Sequence, residues 1–206
     1  MALVDIMGII GTAAFAVSGV LVGIKNRLDL FGVFVLAILT ASGGGLIRDV
    51  IIGDGLPAFF TQPRYLITIL VTTIITFLVF KYIRRLLFII KVFDAVGLGV
   101  FTILAAYKCV SLQMPLIGIV FIAVLTGIGG GILRDILVND VPLVFRSEIY
   151  ALACIIGSLC FYILRKSIDV NLNIYICVSI IFIIRMAAIH FNLNLPVLKI
   201  MQEDEK

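Results

Sequence analysis

"TASGGGLIRD", residues 40–49, sets three consecutive glycines, Gly43, Gly44 and Gly45, and then the charged pair Arg48 and Asp49 into an otherwise apolar stretch. The chain around it reads as built for lipid. Of its 206 residues 63% are hydrophobic and 14% charged, with a mean hydropathy of +1.27, whereas a soluble domain carries about 25% charged residues. A membrane crossing takes about 20 mostly apolar residues, and the runs 4–24, 31–52, 65–83, 92–108, 115–138, 149–165 and 171–191 qualify. The fold class expected is an all-α integral membrane protein of seven transmembrane helices.

Loops this short leave a single membrane domain over 1–206, with 198–206, ending "QEDEK", as a solvated cytoplasmic tail. The first run reads as a retained helix rather than a signal peptide, because six more follow and no cleavage site closes its apolar core. The net charge of +4 does not point to nucleic acid: basic residues sit at span ends and are not interleaved with exposed aromatics. Lys25, Arg27, Lys81, Arg84, Arg85, Lys91, Arg146, Lys199 and Lys206 fall on one side of the membrane, and Arg64, Lys108, Arg165 and Lys166 on the other. That bias puts the N-terminus outside and the C-terminus in the cytoplasm. Cys109, Cys154, Cys160 and Cys177 lack metal-ligand spacing and read as small core residues, with no disulfide, metal site or cofactor expected.

The opening stretch has a second copy. At an offset of 86 residues "TASGGGLIRD" falls on "TGIGGGILRD", 126–135, so that Gly129, Gly130, Gly131, Arg134 and Asp135 repeat the first set. Gly11 and Phe15 fall on Gly97 and Phe101, Gly32 on Gly118, and Asp54 on Asp140; after a one-residue slip Pro57, Phe60 and Tyr65 fall on Pro142, Phe145 and Tyr150. The chain thus reads as two three-span units, 4–83 and 92–165, plus a seventh span at 171–191. A unit that crosses three times delivers its copy from the opposite side, which makes the repeat inverted, as in many proteins that move solutes.

Three glycines cost a helix about 1 kcal/mol each relative to alanine, and they permit a kink or a locally unwound turn whose freed backbone groups need polar surroundings. Close helix packing is the competing reading, since Gly127 and Gly131 form a GxxxG pair, as do Gly19 and Gly23. Packing leaves the adjacent charges unexplained. Charged side chains within spans usually face a bundle interior or a water path. Arg48 and Asp49 point about 100° apart on a helix, so crossed pairs are expected, Arg48 with Asp135 and Arg134 with Asp49. Such pairs either brace the two repeats or border a path. Arginine repels cations, which suits Arg48 and Arg134 to a gate, an anionic-lipid contact or a counter-ion, while Asp49, Asp135 and glycine-run carbonyls are hard oxygen donors for a permeant cation.

Thr12, Ser18, Thr40, Ser42 and Thr126 are polar positions within spans, where a hydroxyl commonly bonds a carbonyl one turn back. Arg185, on the seventh span, is placed close enough to the cytoplasmic end to snorkel. The single histidine, His190, has no catalytic neighbour in sequence and reads as interfacial, and no nucleophile elbow, Walker loop or HExxH occurs. These absences point away from an enzyme.

"GTAAFAVSGVLVGIKNRLDLFGVFVLAILTASGGGLIRDVIIGD", "LTGIGGGILRDIL" and "RMAAIHFNLNLP" together resemble the bacterial relatives of the trimeric intracellular cation (TRIC) channels, which are also described as a glycine-transporter-like family. The resemblance covers nearly the entire chain. It implies an inverted three-plus-three-plus-one arrangement kinked at Gly43–Gly45 and Gly129–Gly131, a homotrimer with a pore in each protomer near the two GGGxxRD motifs, and permeation of potassium or other monovalent cations. It also implies a bacterial inner membrane and contacts with membrane lipids. A potassium-permeable channel is the leading reading, a secondary transporter of a small solute such as glycine the alternative, and a structural or lipid-binding protein without flux the third.

Overall fold

The computed structural model describes residues 2–53, 55–146 and 149–193; Asp54 and the tail 198–206 lie outside them. Among the described residues run α1 (Ala2–Lys25), α2 (Leu30–Ile52), α3 (Ala58–Thr61), α4 (Pro63–Val79), α5 (Leu86–Ser111), α6 (Leu116–Leu137), α7 (Leu143–Arg146), α8 (Ile149–Leu164) and α9 (Val170–Phe191), with a single 3-10 turn at Phe80–Tyr82 after α4. Six segments are long and apolar enough to cross a membrane: Leu3–Lys25, Leu30–Ile52, Pro63–Tyr82, Leu86–Ser111, Leu116–Leu137 and Val170–Phe191. The run at 149–165 falls on α8, whose 16 residues extend about 24 Å, short of a hydrocarbon core of about 30 Å.

Local chemistry sets the ends of these helices. The Asp29 carboxylate accepts the Gly32 N–H at 2.7 Å ahead of α2, Pro63 opens α4, and Asp169 accepts the Asn171 N–H at 2.8 Å ahead of α9. Each satisfies or removes an amide that a helix start leaves orphaned. α1 and α5 form the centre, packed on each other and on α2 and α6 respectively, with α9 and α8 also against α5. α4 presents an apolar outer face that includes Ile67, Leu70, Val71, Ile74 and Ile75.

The locally unwound turn expected at the glycines is not what forms. Helix runs without interruption through both glycine runs, from Leu30 to Ile52 and from Leu116 to Leu137. In lipid an opened turn leaves backbone groups unpaid by water, so the intact hydrogen-bond ladder wins. The glycines instead let α2 and α6 touch. A Cβ at Gly44 meets the Thr126 carbonyl oxygen at 2.0 Å, and one at Gly130 meets the Thr40 carbonyl oxygen at 2.1 Å. These contacts are reciprocal under the 86-residue offset. So is the meeting of α1 and α5, where Phe15 and Phe101 stack on each other with centroids 5.4 Å apart and planes 7° from parallel.

Candidate functional site

Two charged clusters lie at opposite ends of the bundle. The first gathers the C-terminal ends of α2 and α5 and the N-terminal ends of α1 and α4. Asp49 Oδ1 accepts from Arg48 Nε and lies 2.8 Å from Arg48 Nη2, and it takes Lys108 Nζ at 3.2 Å. The other oxygen, Oδ2, accepts the Ala58 backbone N–H at 3.1 Å, which ties the start of α3 to the end of α2. The cluster lines a cavity of about 280 Å³ whose wall includes Gly8, Thr12, Ser42, Gly45 and Tyr65. Asp5 and Arg64, 2.7 Å apart and each more than a third exposed, form a second pair in its lining.

The second cluster is closed off. Arg134, 1% exposed, donates from Nε to Asp135 Oδ1 at 2.8 Å. Its Nη1 donates to Asp94 Oδ1 at 2.7 Å and to Ser18 Oγ at 2.6 Å. Asp135 Oδ2 accepts the Leu143 backbone N–H at 3.0 Å, tying α7 to α6 as Asp49 ties α3 to α2. Tyr150 is buried beside this cluster, and the Arg185 guanidinium lies over its ring, 4.5 Å from the centroid.

The crossed pairs Arg48 with Asp135 and Arg134 with Asp49 do not form; each arginine bonds the aspartate next to it in sequence. The 100° argument holds for the Cβ directions but not for the reach of an arginine, whose flexible stem folds back and lays its planar fork against one carboxylate oxygen. The crossed geometry is also out of reach. α2 and α6 cross antiparallel at Gly44 and Gly130, so each helix carries its Arg–Asp pair away from the crossing in the opposite direction. At about 1.5 Å per residue, Arg48 and Asp135 are roughly 20 Å apart along the axes.

The remaining sequence candidates fall into place around these clusters. Thr40 and Thr126 donate to the carbonyls of Leu36 and Ile122, each at 2.6 Å, and Ser42 to Ile38 at 2.7 Å while lining the cavity. A Cβ at Gly43 meets Leu133, one at Gly129 meets Gly44, and one at Gly131 meets the Tyr150 hydroxyl, whereas Gly45 faces open space with Arg48 Nη2 at 4.0 Å. Arg185 does not snorkel. It is 2% exposed and lines a smaller cavity of about 210 Å³ with Lys91 and Arg146. Asp94 and Lys108 are the members the sequence reading missed. Asp94 carried a usable signal, a carboxylate inside an apolar span; Lys108 looked like an ordinary span-end lysine.

The sequence model of the family described as "Glycine transporter" matches residues 5–81 and 91–166. The two matches start 86 residues apart, the offset of the repeat. The inner membrane protein YadS of Escherichia coli K12 is 42% identical over 195 residues, covering 92% of this chain and 93% of that protein. Among solved structures, a prokaryotic TRIC channel crystallised in 0.5 M KCl superposes with a TM-score of 0.89 at 33% identity, over 94% of this chain and 99% of that one. The chain belongs to the prokaryotic TRIC family. The TRIC orthologue of Rhodobacter sphaeroides superposes as well, with a TM-score of 0.89 at 27% identity over 94% of this chain and all of that one. The chain is an all-helical membrane protein, and the solved structures it superposes on are described as TRIC cation channels.

Proposed function

We propose that this TRIC protein is a monovalent cation channel, permeable to potassium, with a pore inside each subunit of a homotrimer in a bacterial inner membrane. The observation that carries the reading is the pair of clusters set on one fold: an open cavity edged by charged side chains at one end and a buried Arg134 cluster at the other. α8 is the seventh crossing, its short length met by local thinning of the bilayer, and the two copies form an inverted three-plus-three repeat with α9 as the added helix. With the N-terminus outside, the Asp49 cavity is the outer vestibule and the C-terminus is cytoplasmic.

Between the two ends, the glycine runs bring α2 and α6 into contact, and bending there opens the path. Asp49 draws cations into the vestibule, while Arg134, held by Asp94, Asp135 and Ser18, bars the inner end until that network parts. Gly43, Gly44, Gly45, Gly129, Gly130 and Gly131 border this path, with Asp49 and Asp135 holding the short helices α3 and α7 at its mouths. The glycine-transporter alternative gains nothing beyond the family's label. Purified protein in planar bilayers, recorded in symmetric potassium chloride, gives unitary cation currents under this proposal; saturable glycine uptake without unitary currents overturns it.

A further inference from the structure

α9 lies outside both family matches, 5–81 and 91–166, so the first repeat unit holds nothing that corresponds to it. It carries Arg185, 2% exposed, and an ionised side chain withdrawn this far from water within a span needs partners in the protein. α9 packs on α5 and α8, and there the Arg185 guanidinium lies over the ring of Tyr150, 4.5 Å from the centroid. Arg185 makes a further interaction besides this one.

Tyr150 in turn stands against the Arg134 cluster. A Cβ built on Gly131 lies 2.8 Å from the Tyr150 hydroxyl, 3.5 Å from Asp94 Oδ1 and 3.8 Å from Arg134 Nη2. Side chains from α8, α5 and α6 thus converge over one glycine. In the first unit Tyr65 holds the corresponding place, after the one-residue slip, and its hydroxyl also stands by a glycine, 3.0 Å from a Cβ built on Gly8. The cation over the Tyr65 ring is its own neighbour Arg64, 5.4 Å from the centroid and more than a third exposed, and Tyr65 lines the open cavity. The tyrosine covered from α9 belongs to the closed cluster, and the tyrosine without that helix to the open one.

We propose that Arg185 and Tyr150 are positioning residues for the Arg134 barrier: α9 fixes the Tyr150 ring through Arg185, and the Tyr150 hydroxyl keeps Asp94 and Arg134 in their closed arrangement. The proposal rests on the channel reading and adds to it the helix that holds the barrier shut. A cation is attracted to the negative face of an aromatic ring, most strongly where both are desolvated. A ring held on its face, in a close-packed interior, carries its hydroxyl away from Gly131 only if α8 or α9 shifts. Parting of the Arg134 network is thereby tied to movement of the one long helix outside the repeat.

Full-length protein is recorded in planar bilayers in symmetric potassium chloride, with open probability and unitary conductance read separately. Arg185→Gln and Tyr150→Leu each raise the open-to-closed ratio about tenfold, within what a desolvated cation–π contact supplies, and leave unitary conductance unmoved. Arg185→Lys returns a cation to the ring and restores most of the wild-type ratio. When Arg185→Gln and Tyr150→Leu are combined, the ratio rises no further than in the larger single, which separates this contact from the other interaction of Arg185. Tyr150→Phe keeps the ring and removes only the hydroxyl; it raises the ratio at least about threefold and keeps the test decisive where the larger changes fail to fold. Single effects that multiply in the double variant, an Arg185→Lys no closer to wild type than Arg185→Gln, or an unchanged ratio in folded Tyr150→Phe overturns the proposal and leaves the channel reading in place. Absence of unitary currents in wild type overturns both.

Discussion

Arg134 Nη1 lies 2.7 Å from Asp94 Oδ1, with the two side chains 1% and 0% exposed. No other charged pair in the described residues is so fully withdrawn from solvent. Removing one partner of a buried pair leaves the other charge uncompensated and costs about 3 kcal/mol or more. Asp94→Ala therefore lowers the melting temperature in detergent clearly, although Asp135 and Ser18 still hold Arg134. Under the proposed function the same variant raises the open probability in bilayers, because Arg134 loses one of its three anchors. A variant that is destabilised but opens no more often than wild type limits the pair to bracing the fold.

The crossing of α2 and α6 makes a sharper demand on side-chain size. A methyl at Gly44 or Gly130 would sit about 2 Å from the Thr126 or Thr40 carbonyl oxygen, and backbone does not yield as a side-chain tip does. Gly44→Ala and Gly130→Ala each push the helices apart and cost more than about 2 kcal/mol. At Gly45 a Cβ meets nothing closer than Arg48 Nη2 at 4.0 Å, so Gly45→Ala gains up to about 1 kcal/mol of helix propensity. Unfolding in mixed detergent and denaturant ranks the three, and equal effects at Gly44 and Gly45 remove the close-contact account.

A paired substitution checks the α1 and α5 contact. A Cβ at Gly97 lies 2.4 Å from Phe15 Cδ1, and Phe15 is held on its other side by the Phe101 ring. Gly97→Ala is destabilising by about 1–3 kcal/mol through overpacking, and Phe15→Leu in the same chain restores part of that loss by removing the ring. The double variant is then more stable than the sum of the singles predicts. Additive effects in thermal unfolding count against direct contact.

The helices were legible because length and hydropathy decide them in lipid: each sequence span falls on a helix, the largest difference being α5, which starts at Leu86 rather than at residue 92. The repeat was legible as well, since Gly44 and Gly130, found by an offset of 86 residues, meet on the same crossing. The partners of the charges were not. Side-chain reach, rather than the direction of Cβ, sent Arg48 back to Asp49, and only the antiparallel crossing shows that Asp135 is far away. Asp94 and Lys108 became site residues through the packing of α5 against both halves, a relation no local window contains. The glycine run was ambiguous in sequence because a broken helix and a tight crossing ask for the same residue; the intact ladder of α2 and α6 decides for the crossing.

Under the proposed function the vestibule attracts cations through Asp49, the carboxylate that faces Arg48 and Lys108 at 2.8 and 3.2 Å. Asp49→Asn keeps the size and an oxygen acceptor for the Ala58 N–H but removes the negative charge that faces Arg48. Cation entry then meets a positive potential whose reach depends on salt, about 30 Å at 0.01 M and about 3 Å at 1 M. Unitary conductance of Asp49→Asn falls severalfold below wild type in dilute potassium chloride and approaches wild type in molar salt. The control for altered structure is Asp49→Glu, which keeps the charge and keeps the conductance at low salt. A deficit in Asp49→Asn that is the same at both salt concentrations assigns Asp49 to holding α3 in place rather than to drawing cations in.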